Sequence, residues 1–299
     1  MFRLAHLSDI HLGPLPPVRM RELVSKRITG YANWRLGRSR HRSGDDLTLL
    51  VKHMKQQRPD AVAITGDLIN LGLAQELEPA RRWLESLGPA ERVLAVCGNH
   101  DAYVPGALRR ALAVWQDWTK GLEGDPVTGA RDYPVLRRLG RLSLIGCNSA
   151  RASAPFLATG YFREAQARRL EDLLAAERDA GQCRVVLIHH PPINRADRLH
   201  MRLVGARHFR RAIAAAGAEL VLHGHTHVES VENIPGPCAS VPVIGVPSAS
   251  QGFSGRNAPG RYNWFEITEN GAGWSIVMRE FGRPGPALPV GQLDERQIA

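Results

Sequence analysis

Five times along this 299-residue chain, an apolar run rich in β-branched residues and leucine stops at a short cluster of Asp, Asn or His. The runs lie at roughly 2–7, 61–65, 92–96, 184–188 and 219–222, and their length and composition read as strands. The clusters that follow them are Ser8-Asp9-Ile10-His11, Gly66-Asp67, Gly98-Asn99-His100-Asp101, His189-His190-Pro191-Pro192 and His223-Gly224-His225-Thr226-His227. Stretches with helical spacing separate the runs, at roughly 45–57, 74–87, 106–122, 163–180 and 206–216. In the fourth of these, Ala167, Leu170, Leu173 and Leu174 form one stripe and Gly181 supplies a stop. Early alternation of strand and helix predicts α/β layers, and later strands at roughly 142–146, 241–246, 262–267 and 273–279 predict a second sheet. In such folds ligand-binding groups gather at the carboxyl ends of the strands, where all five clusters fall.

The residue types define what the clusters can do. Residues two apart on an extended chain point to the same side, so Asp9 and His11 can aim a carboxylate and an imidazole at one point. His225 and His227 repeat that spacing. Gly66 permits a tight turn that leaves Asp67 at its strand's end. The Asn99 carbonyl oxygen is a neutral, hard ligand, whereas the adjacent His100 must point elsewhere and is available for catalysis. Either His189 or His190 can close the fourth strand. Each cluster alone has a bland reading: Asp9 as a turn cap, Gly66-Asp67 as a solvent-facing turn, His189 or His190 as a satisfied core imidazole. Seven oxygen and nitrogen donors, all at strand ends, argue jointly for a site. Their lack of thiolate disfavours a structural zinc.

Asp9-x-His11, Gly66-Asp67, Gly98-Asn99-His100-Asp101, His189 and Gly224-His225-x-His227 resemble the signature of the calcineurin-like metallophosphoesterase superfamily. Val246-Pro247-Ser248 and Tyr262-Asn263 resemble its closing strands. The resemblance implies a four-layer α/β/β/α sandwich and two divalent transition-metal ions, with Mn favoured and Fe, Zn or Co as alternatives. It implies that one ion takes Asp9, His11 and His227, the other takes Asn99, His189 and His225, and Asp67 bridges them, with His190 the alternative to His189. Two cations about 3.5–4 Å apart acidify a bridging water and clamp phosphoryl oxygens. His100 is then the candidate to protonate the leaving oxygen, with Asp101 orienting it. The implied activity is hydrolysis of a small or lipid phosphodiester, as in cyclic-nucleotide and glycerophosphodiester phosphodiesterases and UDP-diacylglucosamine pyrophosphohydrolases. A DNA-repair-type nuclease and a non-catalytic scaffold are the alternatives.

Charge enters through one segment. The formal net charge is +10, nearly all of it arginine, since lysine occurs only at 26, 52, 55 and 120. Residues 14–43 look inserted, and they concentrate Arg19, Arg21, Lys26, Arg27, Arg35, Arg38, Arg40 and Arg42 against the single acid Glu22. Met20, Val24, Ile28, Tyr31 and Trp34 follow helical spacing there, although Gly30 costs such a helix about 1 kcal/mol. Such a segment can pack as a lid, lie on an anionic membrane surface, or bind nucleic acid. The rest of 1–281 reads as one domain, and 282–299, with Pro284, Pro286 and Pro289, as an extended tail. Cys97, Cys147, Cys183 and Cys238 are scattered singly and read as reduced thiols. The first residues run at once into an apolar strand without a basic, then apolar, leader pattern. A cytoplasmic protein, peripheral on the inner face of a membrane in the lipid case, is the expectation.

Overall fold

A computed structural model of the chain describes residues 1–35, 44–121, 126–193, 196–254, 258–271 and 273–299. Its strands are β1 (Phe2–Leu7), β2 (Ala61–Ile64), β3 (Val93–Ala95), β4 (Val135–Leu139), β5 (Leu142–Gly146), β6 (Gly160–Tyr161), β7 (Cys183–Leu187), β8 (Leu203–Val204), β9 (Leu220–His223), β10 (Ser230–Pro235), β11 (Ser240–Gly245), β12 (Arg261–Asn270), β13 (Gly273–Gly282) and β14 (Gly291–Gln297). The helices among the described residues are α1 (Arg27–Asn33), α2 (Gly44–Gln56), α3 (Ala74–Leu87), α4 (Ala107–Val114), α5 (Gln116–Thr119), α6 (Glu164–Asp179) and α7 (Ala206–Ala216). One six-stranded sheet runs β14-β13-β12-β1-β2-β3 and the other β10-β11-β9-β7-β5-β4; β6 and β8 pair separately. β1, β2 and β3 are parallel, as are β5, β7, β9 and β11, so their carboxyl ends share an edge in each sheet.

Pleating explains the layers. Along β7, Val185 and Leu187 join the core shared with β1–β3, while Val186 and Ile188 join a second core under α6 and α7. β9 divides in the same way, with Leu220 and Leu222 facing the first core and Val221 the second. Leu170 and Leu174 of α6 and Phe209 and Ile213 of α7 cover one outer face. Leu50 and Met54 of α2 and Leu77 and Leu84 of α3 pack beside the first sheet. A fully buried side chain of this size contributes about 1.5–3 kcal/mol. The four-layer α/β/β/α arrangement expected from the sequence is therefore the one observed.

Departures from the sequence reading have local causes. The helix expected over 106–122 breaks at Trp115, which is fully buried and donates its indole N–H to the Leu77 carbonyl. β4 escapes the apolar pattern because it carries Arg137 and Arg138; the former is buried against backbone carbonyls, the latter pairs with Glu177. Residues 282–299 were expected to form an extended tail, but Gly291–Gln297 pair with β13 as an edge strand, which needs only one partner. Arg296 fastens this strand to Glu229. Cys97, Cys147 and Cys183 are buried thiols, whereas Cys238 is exposed on the β10–β11 turn. Among the described residues no helix is long and apolar enough to cross a membrane.

Within 14–35, the expected continuous helix is a single 3-10 turn at Met20–Glu22 followed by α1. Met20, Val24 and Ile28 are exposed, so this part of the stripe does not pack on the core. Tyr31 packs against the small cluster of Leu71, Leu73 and Tyr103. Arg38, Arg40 and Arg42 lie outside the described residues.

Candidate metal centre

The five clusters converge where the carboxyl edges of the two sheets meet. After β1 the chain continues beside the β2 loop, with Asp9 and His11 N–H donating to the carbonyls of Gly66 and Asp67. Gly66 has φ +101°, and a Cβ there would lie 2.7 Å from both Gly98 N and His189 Nδ1, so only glycine lets these three loops close. The second sheet reaches across at two points. The Asp9 carboxylate accepts from the His225 N–H at 2.8 Å and stands 3.0 Å from His227 Nε2. His189 Nδ1 donates to the Thr65 carbonyl at 2.6 Å, turning Nε2 to within 3.1 Å of Asn99 Oδ1 and 3.5 Å of Asp67 Oδ2.

Backbone carbonyls set the other imidazoles. His11 Nδ1 bonds the Ile69 carbonyl, and its Nε2 stands 3.8 Å from Asp67 Oδ2 and 3.9 Å from Asp9 Oδ1. His225 Nε2 bonds the Met201 carbonyl. Potential ligand atoms of Asp9, His11 and His227 lie within 4.8 Å of one another, as do those of Asp9, Asp67 and His189, of His11, Asp67 and His100, and of His189, His190 and His225. His189 and His190 differ in what their rings face. Both nitrogens of His190 face protein groups, the Ser149 hydroxyl at 2.8 Å and the Ala158 carbonyl at 3.2 Å, whereas His189 faces Asp67 and Asn99.

Strain and burial mark the same residues. Of the seven described non-glycine residues with positive φ, five are Asp9, His11, Asp67, His225 and His227. Backbone held in that region costs of order 1–3 kcal/mol per residue and persists where the surroundings enforce it, often at functional sites. Asp9 and Asp67 are buried, and among the described residues their ion-pair partners are histidines only. Burial raises the Asp9 carboxyl, but the charge and hydrogen bond of His227 outweigh it and hold Asp9 well below the usual carboxylate range. Burial lowers His189, yet the charge and hydrogen bond of Asp67 push it up to about 9; His225 falls to about 3 through burial and the charge of His189. Buried carboxylates, histidines and an amide oxygen without thiolate fit divalent transition-metal ions, which would take the place of protons on such a cluster.

Asp101 has a different position from the one expected. It does not orient His100: its two oxygens accept the backbone N–H groups of Asp67, Leu68, Ile69 and Gly98, tying the β2 loop to the β3 loop. Burial and the Asp67 charge push its carboxyl up to about 8. The Asn70 carbonyl is the acceptor for His100 Nδ1, and Tyr103 stacks on the His100 ring at 5.3 Å. Sequence reasoning read Ser248 only as part of a closing strand, although its hydroxyl donates to the Asp9 carbonyl at 2.6 Å, and it passed over Ser149, which holds His190; a single serine carries no signal that would single it out. Two cavities open beside the centre. One of about 290 Å³ is lined by Lys26, Asn99, His100, Tyr103, Leu157 and Met201, and one of about 560 Å³ by His11, Leu12, Trp34, Trp83 and Ser250 among others.

This architecture and donor set define a metal-dependent phosphoesterase. The chain belongs to the calcineurin-like phosphoesterase family, whose sequence model matches residues 2–229. A probable cyclic nucleotide phosphodiesterase of Synechococcus sp. is 23% identical over 226 residues, covering 74% of this chain and 76% of that protein. Among solved structures, a dimetal phosphatase from Danio rerio matches with TM-score 0.64 at 14% identity, over 100% of this chain and 98% of that one. A purple acid phosphatase from yellow lupin (Lupinus luteus) seeds matches with TM-score 0.60 at 11% identity, over 99% of this chain and 53% of that one. At these identities the two structures speak for the fold.

Proposed function

We propose that the protein is a phosphodiesterase with a two-metal centre, in which Asp9, His11 and His227 hold one ion, Asn99, His189 and His225 the other, and Asp67 both. The observation that carries this reading is the position of Asp67, whose carboxylate belongs at once to a group with His11 and His100 and to one with Asp9 and His189. Two divalent ions, when bound, supply an acidified water as nucleophile and neutralise phosphoryl charge. The chain's own residues do the rest. Carbonyls of Ile69, Thr65 and Met201 fix the rings of His11, His189 and His225 before any ligand arrives. His100, with Nδ1 directed to the Asn70 carbonyl, is placed in the 290 Å³ cavity to give a proton to the departing ester oxygen. Diester cleavage is favoured over monoester by the Synechococcus relative.

Within the diesters, a phospholipid-type substrate is a second reading. Phe156 and Leu157 line the cavity that reaches Asn99, Leu199 sits just before its His200 and Met201, and Ile28 lies beside its Thr29. All four are exposed, giving the mouth an apolar border.

The test is hydrolysis of bis(p-nitrophenyl) phosphate against p-nitrophenyl phosphate by Mn-reconstituted protein, with elemental analysis of wild type and Asp67→Ala. Faster diester turnover, about two ions per chain in wild type, and loss of both ions and turnover in the variant are expected. Full metal content in Asp67→Ala would refute its bridging position, and exclusive monoester turnover would refute the phosphodiesterase. A vesicle of phosphatidylglycerol as substrate decides the lipid reading, which no turnover would end.

A further inference from the structure

The segment before α1 reaches over the cavity that leads to Asn99 and His100. The helix sits close because residue 30 is glycine: a Cβ there would stand 2.1 Å from the Tyr103 hydroxyl oxygen. From this platform Lys26 extends across the opening. Its Nζ donates to the Ser153 hydroxyl at 2.7 Å and to the Leu157 carbonyl at 2.6 Å, and lies 4.9 Å from the centroid of the Tyr103 ring. That ring is the one stacked on His100.

Lys26 therefore fastens the segment before α1 to the single loop between β5 and β6 that carries Ser153 and Leu157. Two of the three ammonium donors end on neutral oxygens, the Tyr103 ring stands beside the group, and the Asp67 carboxylate acts on it through its charge without direct contact. The group is half-buried, and burial lowers it to about 8, which leaves it charged at neutral pH. Taking a charge even half out of water costs free energy, and a neutral donor would clasp the same two oxygens without that cost. The neighbouring cation Arg27 is spent on the carbonyls of Leu71 and Gly72. Among the described residues that line this cavity, Lys26 is the cation beside His100, where the leaving group departs in the reading above.

We propose that Lys26 is a substrate-contacting residue that selects esters whose leaving group carries its own anionic substituent, a carboxylate or a phosphate. The inference rests on the phosphodiesterase reading. In the hydrolysis, oxygen from water bonds to the scissile phosphorus, and the bond from phosphorus to the leaving oxygen breaks with its electron pair kept on that oxygen. His100 gives the leaving oxygen its proton, and one proton of the attacking water replaces it on the imidazole. The extra anion of the leaving group is unchanged throughout and faces the Lys26 ammonium, so it contributes to binding and orientation and takes no part in bond exchange. The ring of Phe156 and the side chains of Leu157 and Met201 on the same cavity wall suit the organic part of that group.

The experiment uses a matched pair, methyl 4-nitrophenyl phosphate and methyl 3-carboxy-4-nitrophenyl phosphate, whose leaving groups differ by one carboxylate. For Mn-loaded wild type the expected ratio of kcat/KM is about tenfold in favour of the carboxylated ester, the size of one charge-assisted contact. In Lys26→Met, which keeps the aliphatic stem, the ratio should fall to about one, and in Lys26→Arg it should persist. An unchanged ratio in Lys26→Met, or an equal loss on both esters, would overturn the proposal, the latter because it marks a clasp and nothing more. Calorimetry of methylenebisphosphonate against inorganic phosphate gives a readout without turnover: Lys26→Met should weaken the former about tenfold more than the latter. A wild type that hydrolyses neither ester but shows this difference would sink the phosphodiesterase and keep Lys26. A wild type that hydrolyses both equally would do the reverse.

Discussion

The floor of the site and its rim differ in burial, in backbone strain and in what holds their side chains. On the floor, Asp9, Asp67, Asn99, His189 and His225 are at most 4% exposed. Backbone carbonyls hold His189 and His225, and the left-handed conformation recurs at Asp9, Asp67 and His225. At the rim, Val24, Ile28, Phe156 and Leu199 are each more than half exposed, and Phe156 alone among them has a positive φ. The floor is thus over-determined by its surroundings, as a constellation must be if several charged groups are to stay in place before their ligands bind. The rim is under-determined, which suits a surface that meets differently shaped substrates.

The sharpest way to break this division is at its boundary. His100→Ala should lower kcat by about 10²–10⁴-fold while elemental analysis still finds the ions. Loss of the ions would move His100 from proton donor to ligand. A smaller effect is expected one layer beneath. Asp101→Asn exchanges one oxygen that receives backbone N–H groups for a donor, and metal affinity should fall about 10–100-fold in a chelator competition with the fold retained. Unchanged affinity would show that the two loops hold their shape without the brace. The smallest effect belongs to the rim. Asn tolerates the left-handed region that Phe156 occupies at φ 64°, so Phe156→Asn should raise stability by about 1 kcal/mol in thermal unfolding. A loss of metal in that variant would mean that rim and floor are one unit.

The same division runs through what could be read in the sequence. Asp9, His11, Asp67, Asn99, His225 and His227 were visible because polar donors interrupt strand patterns at positions that topology brings to one edge. His189 could not be separated from His190, since the groups that occupy the His190 ring, the Ser149 hydroxyl and the Ala158 carbonyl, come from a remote loop. Asp101 was misjudged by adjacency: its neighbour in sequence is His100, but its partners are four backbone N–H groups, three of them 32–34 residues away. β4, β10 and β14 were missed because they lie at sheet edges, where polar residues interrupt the near-continuous apolar run that burial on both faces enforces. In 14–35, periodicity suggested one packed stripe, and the structure leaves Met20, Val24 and Ile28 in solvent while Lys26 makes the connecting contacts.

The two-sided pleat of β7 has a consequence for how this chain can change over time. Because Val185 and Leu187 face one core while Val186 and Ile188 face the other, a single-residue insertion in that strand would reverse every side chain beyond it and swing His189 away from Asp67. Length variation is therefore intolerable in β7, whereas the loop that presents Lys26 can lengthen or shorten without shifting any strand. Descendants of this sequence would diversify by indels at the rim and by point substitution alone along the strands that end at the floor.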